Sequence, residues 1–153
     1  MSTLKARLET DLRESMKARD ELLTSTLRMA IAAVRTAEVA GKQARELSDD
    51  DIIGVLSAEA KKRREAAEAF ADAGRPEQAE KERAEFAVIA AYLPEQLSAE
   101  ESAALVAEAI AETGAAEEGV RAMGKVMGVL NPKVKGRADG GVVAAEVRSQ
   151  LGA

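Results

Sequence analysis

The sequence contains no cysteine, no histidine and no tryptophan, and only three prolines. Without cysteine there are no disulfides and no thiolate chemistry. Without histidine the commonest general base and the commonest metal ligand are missing. No metal site and no cofactor is therefore expected. Aromatic residues make up 2% of the chain, so a core must be built from Ala, Leu, Val, Ile and Met. So few rings also leave little for unpaired bases to stack on. No apolar run approaches the ~20 residues a bilayer-spanning helix needs. The opening "MSTLKARLETDLRESMKARDE" is charged throughout and lacks the apolar centre of a signal peptide. These absences lead to the expectation of a soluble, cytoplasmic protein without membrane contact.

What is present is helix-forming material. Charged residues are 32% of the 153 residues, and Ala, Glu, Arg and Lys dominate. Leu4, Leu8, Leu12 and Met16 recur every four positions, one face of a helix. A brief break is expected at Arg19-Asp20. Leu23, Leu27, Ala30, Ile31 and Val34 form a second stripe that stops near Gly41, before a polar loop over 41–47. Ser48 and Asp51 form a capping-box-like start for a third helix, with Ile52, Leu56, Ala60, Ala67 and Phe70 on one face. Gly74 ends it, and Pro76 suits the first turn of a fourth helix carrying Ala79, Phe86, Ala90 and Leu93. The short "GRP" connection predicts an antiparallel hairpin.

Pro94 marks the best domain boundary. Ser98 and Glu101 open the next helix, with Leu105, Ala109 and Ile110 inside. Val120, Met123, Val126, Met127 and Leu130 predict another helix that Pro132 stops, with Asn131-Pro132 opening a turn. Asp139 caps a last helix that buries Val143, Val147 and Leu151. The expectation is an all-α chain: an N-terminal helical hairpin domain over 1–94 and a small C-terminal three-helix bundle over 95–153.

One further absence is local. From Gly119 to Ala138 there is no carboxylate, while Arg121, Lys125, Lys133, Lys135 and Arg137 supply five positive charges. The whole chain is −5, so the remainder sums to −10. Gly124 and Gly128 fall beside each other on a helix face flanked by Arg121 and Lys125. Glycine costs about 1 kcal/mol there relative to Ala, so something approaches that backbone, either another helix of the bundle or a nucleic-acid backbone. Beyond Pro132, Lys133, Lys135 and Arg137 alternate with Val134 and Gly136, and an extended segment would point the three to one side. Gly136, Gly140 and Gly141 permit close approach, and the helix that follows can offer free N–H groups to a phosphate. The segment reads either as a phosphate-binding surface or as a solvated basic loop facing the acidic N-terminal part.

Elsewhere the charges are bland. In "KKRRE", Lys61, Lys62 and Arg64 read as a solvated helix face. Arg63 shares the face of Leu56 and Phe70 and is expected to tie two helices, with Glu82 as its partner. Carboxylates sit at surface-helix spacing, and no catalytic constellation or nucleotide loop is found.

"MGKVMGVLNPKVKGRADGGVV", "AGRPEQAEKERAEFAVIAAYLPEQLSAEE" and "LRMAIAAVRTAEV" together resemble the YqeY-like family, over nearly the whole chain. That family is similar to the C-terminal tail domain of the GatB subunit of tRNA-dependent amidotransferases, which recognises the outer corner of tRNA. The resemblance implies an all-helical fold and a non-catalytic tRNA-binding role, with tRNA as partner, alone or beside an amidotransferase or an aminoacyl-tRNA synthetase. Family descriptions carry the label of a carbon–nitrogen ligase with glutamine as amido donor, but the catalytic domains for that reaction have no counterpart in this sequence. With the motif and its flank, the implied RNA contacts are Arg121, Gly124, Lys125, Gly128, Lys133, Lys135, Gly136 and Arg137. Asn131 stands where a larger apolar residue is expected. The alternatives are a protein–protein adaptor of the translation machinery and an accessory component of transamidation.

Overall fold

A computed structural model describes residues 2–152. Among them are α1 (Thr3–Ala18), α2 (Glu21–Glu38), α3 (Asp49–Asp72), α4 (Pro76–Ala90), α5 (Ala99–Thr113), α6 (Met123–Val134) and α7 (Gly140–Gln150), with no strand. Two short 3₁₀ turns, Ala115–Glu117 and Gly119–Ala122, lie between α5 and α6. The fold is all-α. Its helices fall into two compact units, Met1–Pro94 and Glu95–Ala153.

In the first unit the helix ends lie where local chemistry sets them. Arg19 adopts the left-handed conformation at φ 57°, and Asp20 then accepts from the Leu23 N–H to start α2. Ser48 and Asp51 form a reciprocal capping box. Gly74 turns at φ 72°, and Pro76 enters the first turn of α4, which packs along α3 as a hairpin. The core gathers Leu8, Leu27, Ile31, Val34, Ile52, Leu56 and Ile89.

Three expectations shift. Met16 is half exposed, and Ser15 is buried in its place, accepting from the Thr24 hydroxyl. Leu47, inside the polar loop, is buried against the core. On α4 the buried line runs through Ala79, Glu85 and Ile89, with Phe86 only partly covered. Glu85 is inside because it faces Arg63, at 3.7 Å from its Nε. Arg63 also donates to the carboxylate of Glu59. The guanidinium is the expected interhelical tie, but its partner is Glu85, three residues beyond Glu82. Lys61 and Lys62 lie on the exposed face of α3.

The second unit is a bundle of α5, α6 and α7. Val106, Ile110, Val126, Leu130, Val143 and Val147 meet in an aliphatic core, with Leu105, Met123 and Met127 packed at its edge. Val120 lies outside it, 45% exposed, because the chain before Met123 is 3₁₀ rather than α-helical.

The N-terminus of α1 is held from outside by α3. Asp49 accepts from the hydroxyls of Ser2 and Thr3 and from the Leu4 N–H. The Ser2 hydroxyl, then that of Thr3 and the Leu4 amide, hold the carboxyl below its usual range. A lowered folded-state pKa stabilises the fold above the ordinary Asp range, near pH 4, and that stabilisation fades as pH falls through the lowered value. Asp49→Asn should therefore lower the unfolding midpoint at neutral pH. The gap to wild type should close as pH drops below about 4, as thermal melts across a pH series will show.

Candidate nucleic-acid interface

The basic segment is organised by the core. Val126, Leu130 and Val134 are spaced four apart and lie on one buried line of α6. Burying Val134 requires the helix to continue through Pro132, which sits inside α6 rather than ending it. The expected extended stretch from Lys133 to Arg137 is therefore absent. Lys133 lies in the last helical turn, Lys135 is the C-cap, and Gly136 makes the left-handed turn at φ 73°. Val134, expected between basic residues of a loop, is core.

Helical geometry separates the cations. At 3.6 residues per turn, positions two apart leave the axis on roughly opposite sides. Lys133 points towards α5, with its ammonium 3.6 Å from the Glu112 carboxylate. Lys135 lies on the other side, along an open groove of about 470 Å3 that Gly128, Asn131, Pro132 and Gly140 also border. Gly124 and Gly128 share this outer face. A β-carbon at either would meet nothing within 4 Å, so no helix of the bundle crosses there. Lys125 flanks the strip and pairs with Glu118 at 3.3 Å. Arg121 is exposed, and neither Arg121 nor Lys135 has an ion-pair partner among the described residues.

Arg137 does something else. Its Nε donates to the Glu95 carbonyl at 3.0 Å, and a terminal nitrogen reaches the Lys133 carbonyl at 3.4 Å. The Lys133 carbonyl is one of the four at a helix end that lack an intrahelical donor. The Leu97 N–H donates to the Arg137 carbonyl at 2.8 Å, and the Gln96 amide donates to the Gly136 carbonyl at 2.7 Å. Arg137 and its turn thus clamp the segment that enters α5. Ser98 caps that helix, and its N–H and hydroxyl, with the charge of Arg137 adding to them, hold the Glu101 carboxyl below its usual range.

The α7 N-terminus is already capped. Asp139 accepts from the Gly141 N–H at 2.8 Å, so a carboxylate occupies the place expected to welcome a phosphate.

The eight residues singled out in the sequence thus divide. Arg121, Gly124, Lys125, Gly128 and Lys135 fall along the outer side of α6 and its approach. Lys133 faces α5, and Gly136 and Arg137 form the clamp. Asn131 is exposed beside Lys135, so the missing apolar side chain removes no packing. The part played by Gln96 had no local signature, because its partner lies 40 residues away.

A family model described as YqeY-like protein matches residues 5–151. The chain belongs to the YqeY-like family. An uncharacterised protein of Schizosaccharomyces pombe is 34% identical over 96 residues, a stretch spanning 62% of this chain and 76% of the yeast protein. Among the described residues of this YqeY-like chain, no helix is long and apolar enough to cross a membrane, and no group of three His, Cys, Asp or Glu residues is placed to hold a metal ion.

Two predictions separate the outer face from the clamp. Gly124→Ala and Gly128→Ala, each with open space around the new methyl, should stabilise the YqeY-like fold by up to about 1 kcal/mol apiece in urea unfolding. Arg137→Lys keeps the charge but loses the planar fork. It should destabilise the C-terminal unit almost as much as Arg137→Gln, about 1 kcal/mol. A lysine variant as stable as wild type would show that charge alone matters there.

Proposed function

We propose that this protein is a non-catalytic tRNA-binding module whose RNA-contacting surface is the outer face of α6. The observation that carries the reading is the bare, cationic character of that face. Two helical glycines have nothing packed on them, and Arg121 and Lys135 are left without carboxylates in a chain of net charge −5. A solvated helix gains nothing from glycine, which costs about 1 kcal/mol per position. A polyanion seated on the backbone accounts for both the smoothness and the charge.

All three aromatic residues, Phe70, Phe86 and Tyr92, precede Pro94. The C-terminal unit therefore has no ring on which to stack an unpaired base. Its ligand is recognised through backbone and folded shape. That agrees with the resemblance of the C-terminal motif to the tail domain of the amidotransferase B subunit. In this reading the protein acts alone or beside an amidotransferase or an aminoacyl-tRNA synthetase and does no chemistry itself.

Binding of a tRNA transcript, followed by fluorescence anisotropy over a salt series, tests the proposal. Three phosphate contacts, from Arg121, Lys125 and Lys135, give a log–log salt slope no steeper than about −3. Arg121→Glu combined with Lys135→Glu should abolish binding. Lys133→Glu, on the side facing α5, should change affinity by no more than about twofold. Full affinity in the double variant would remove the outer face from consideration.

A further inference from the structure

Two further polar groups border the groove beside Lys135, the Gly128 backbone and the Asn131 side chain. In an α-helix each carbonyl accepts from the N–H four residues on. For Gly128 that residue is Pro132, which has no N–H and whose ring crowds the carbonyl. Gly128 has no side chain, and the space its β-carbon would enter is open. The Gly128 carbonyl thus lacks its α-helical donor, and Gly128 borders the groove. One turn on, Asn131 is exposed, and its side-chain amide has no hydrogen-bond partner among the described residues. Lys135 supplies a cation at the same depression, no carboxylate borders it, and Val134 and Ala138 contribute apolar surface.

A carbonyl without its helical donor, a free carboxamide and a free ammonium around a mostly apolar depression match the parts of one ribose-phosphate unit. The phosphate meets the ammonium, the sugar face lies on apolar surface, and a sugar hydroxyl finds the carbonyl and the amide. A deoxyribose would leave the acceptor facing a C–H. We propose that the Gly128 carbonyl and the Asn131 side chain take the 2′-hydroxyl of a ribose whose phosphate pairs with Lys135, so that this groove distinguishes RNA from DNA. The proposal rests on the RNA-binding reading above and adds the atoms that discriminate.

The test compares a labelled tRNA transcript with its all-2′-deoxy counterpart, by anisotropy, on the full chain. Wild type should prefer the RNA. Pro132→Ala restores the missing N–H to the Gly128 carbonyl and removes the acceptor. It should weaken RNA binding by about fivefold, the size of one ordinary hydrogen bond, and leave DNA binding unchanged. Its unfolding midpoint should not fall, since alanine is the better helix former. Asn131→Ala should narrow the RNA preference in the same direction. Lys135→Glu should weaken both strands alike. An RNA preference that survives in both Pro132→Ala and Asn131→Ala overturns the proposal. Equal binding of the two strands by wild type also overturns it while leaving nucleic-acid binding intact. If wild type binds neither strand, the RNA-binding reading falls and this proposal with it.

Discussion

Burial of Val134 is the constraint from which the surface of the C-terminal unit follows. Its side chain is 4% exposed and continues the line of Val126 and Leu130. Covering a valine contributes about 2 kcal/mol, which offsets much of the ~3 kcal/mol that a proline costs in a helix interior. The helix runs through Pro132 instead of ending before it, and Val134 joins the core. Lys133 and Lys135 are then thrown to different sides of α6, the Gly128 carbonyl loses its donor, and the turn falls on Gly136. A groove on one side of α6 and an ion pair on the other are two results of the same packed side chain.

The turn that follows is held by Arg137, whose charge is used internally. Its guanidinium meets the carbonyls of Glu95 and Lys133 and contributes to the field at Glu101. The segment before α5 and the turn before α7 are thereby one hydrogen-bonded structure, although more than 35 residues of sequence lie between them. Arginine suits such a position because its donors form a rigid fork that reaches two acceptors at once. Within one basic run, two residues are left to face solvent unpaired and one has become part of the scaffold.

The core of the N-terminal unit is aliphatic, with an ionic cluster inside it and an aromatic one at its edge. Arg63 lies between Glu59 and Glu85. Tyr92 donates its hydroxyl to Asp11, while Arg7 lies over its ring. Burial, then the Asp11 carboxylate, push the Tyr92 phenol well above its usual range, so it remains a donor. Around Arg63 an isolated charge would be expensive, and there each charge is paired.

Much of this architecture was legible in the sequence. Helix starts at Ser48, Ser98 and Asp139, the break at Arg19 and the turn at Gly74 all depend on residues within a few positions of one another. Capping and backbone preference act at that range. Stripes such as Leu27–Ile31–Val34 and Val143–Val147–Leu151 also announce themselves by their period. The Asn131-Pro132 pair misled because its local preference for a turn was overruled by burial of Val134 two residues on. Glu85 and Leu47 escaped notice because each is buried by a residue distant in sequence.

The sequence by itself determined that the chain is helical, where most helices begin, and that its positive charge is concentrated near the C-terminal end. Those features need only neighbours along the chain. Only the tertiary structure decided which cations face outward, which one became a clamp, and that the glycine face of α6 is left uncovered. A basic residue carries no local mark of its partner, so its role is set by the carboxylates and carbonyls that packing brings within reach.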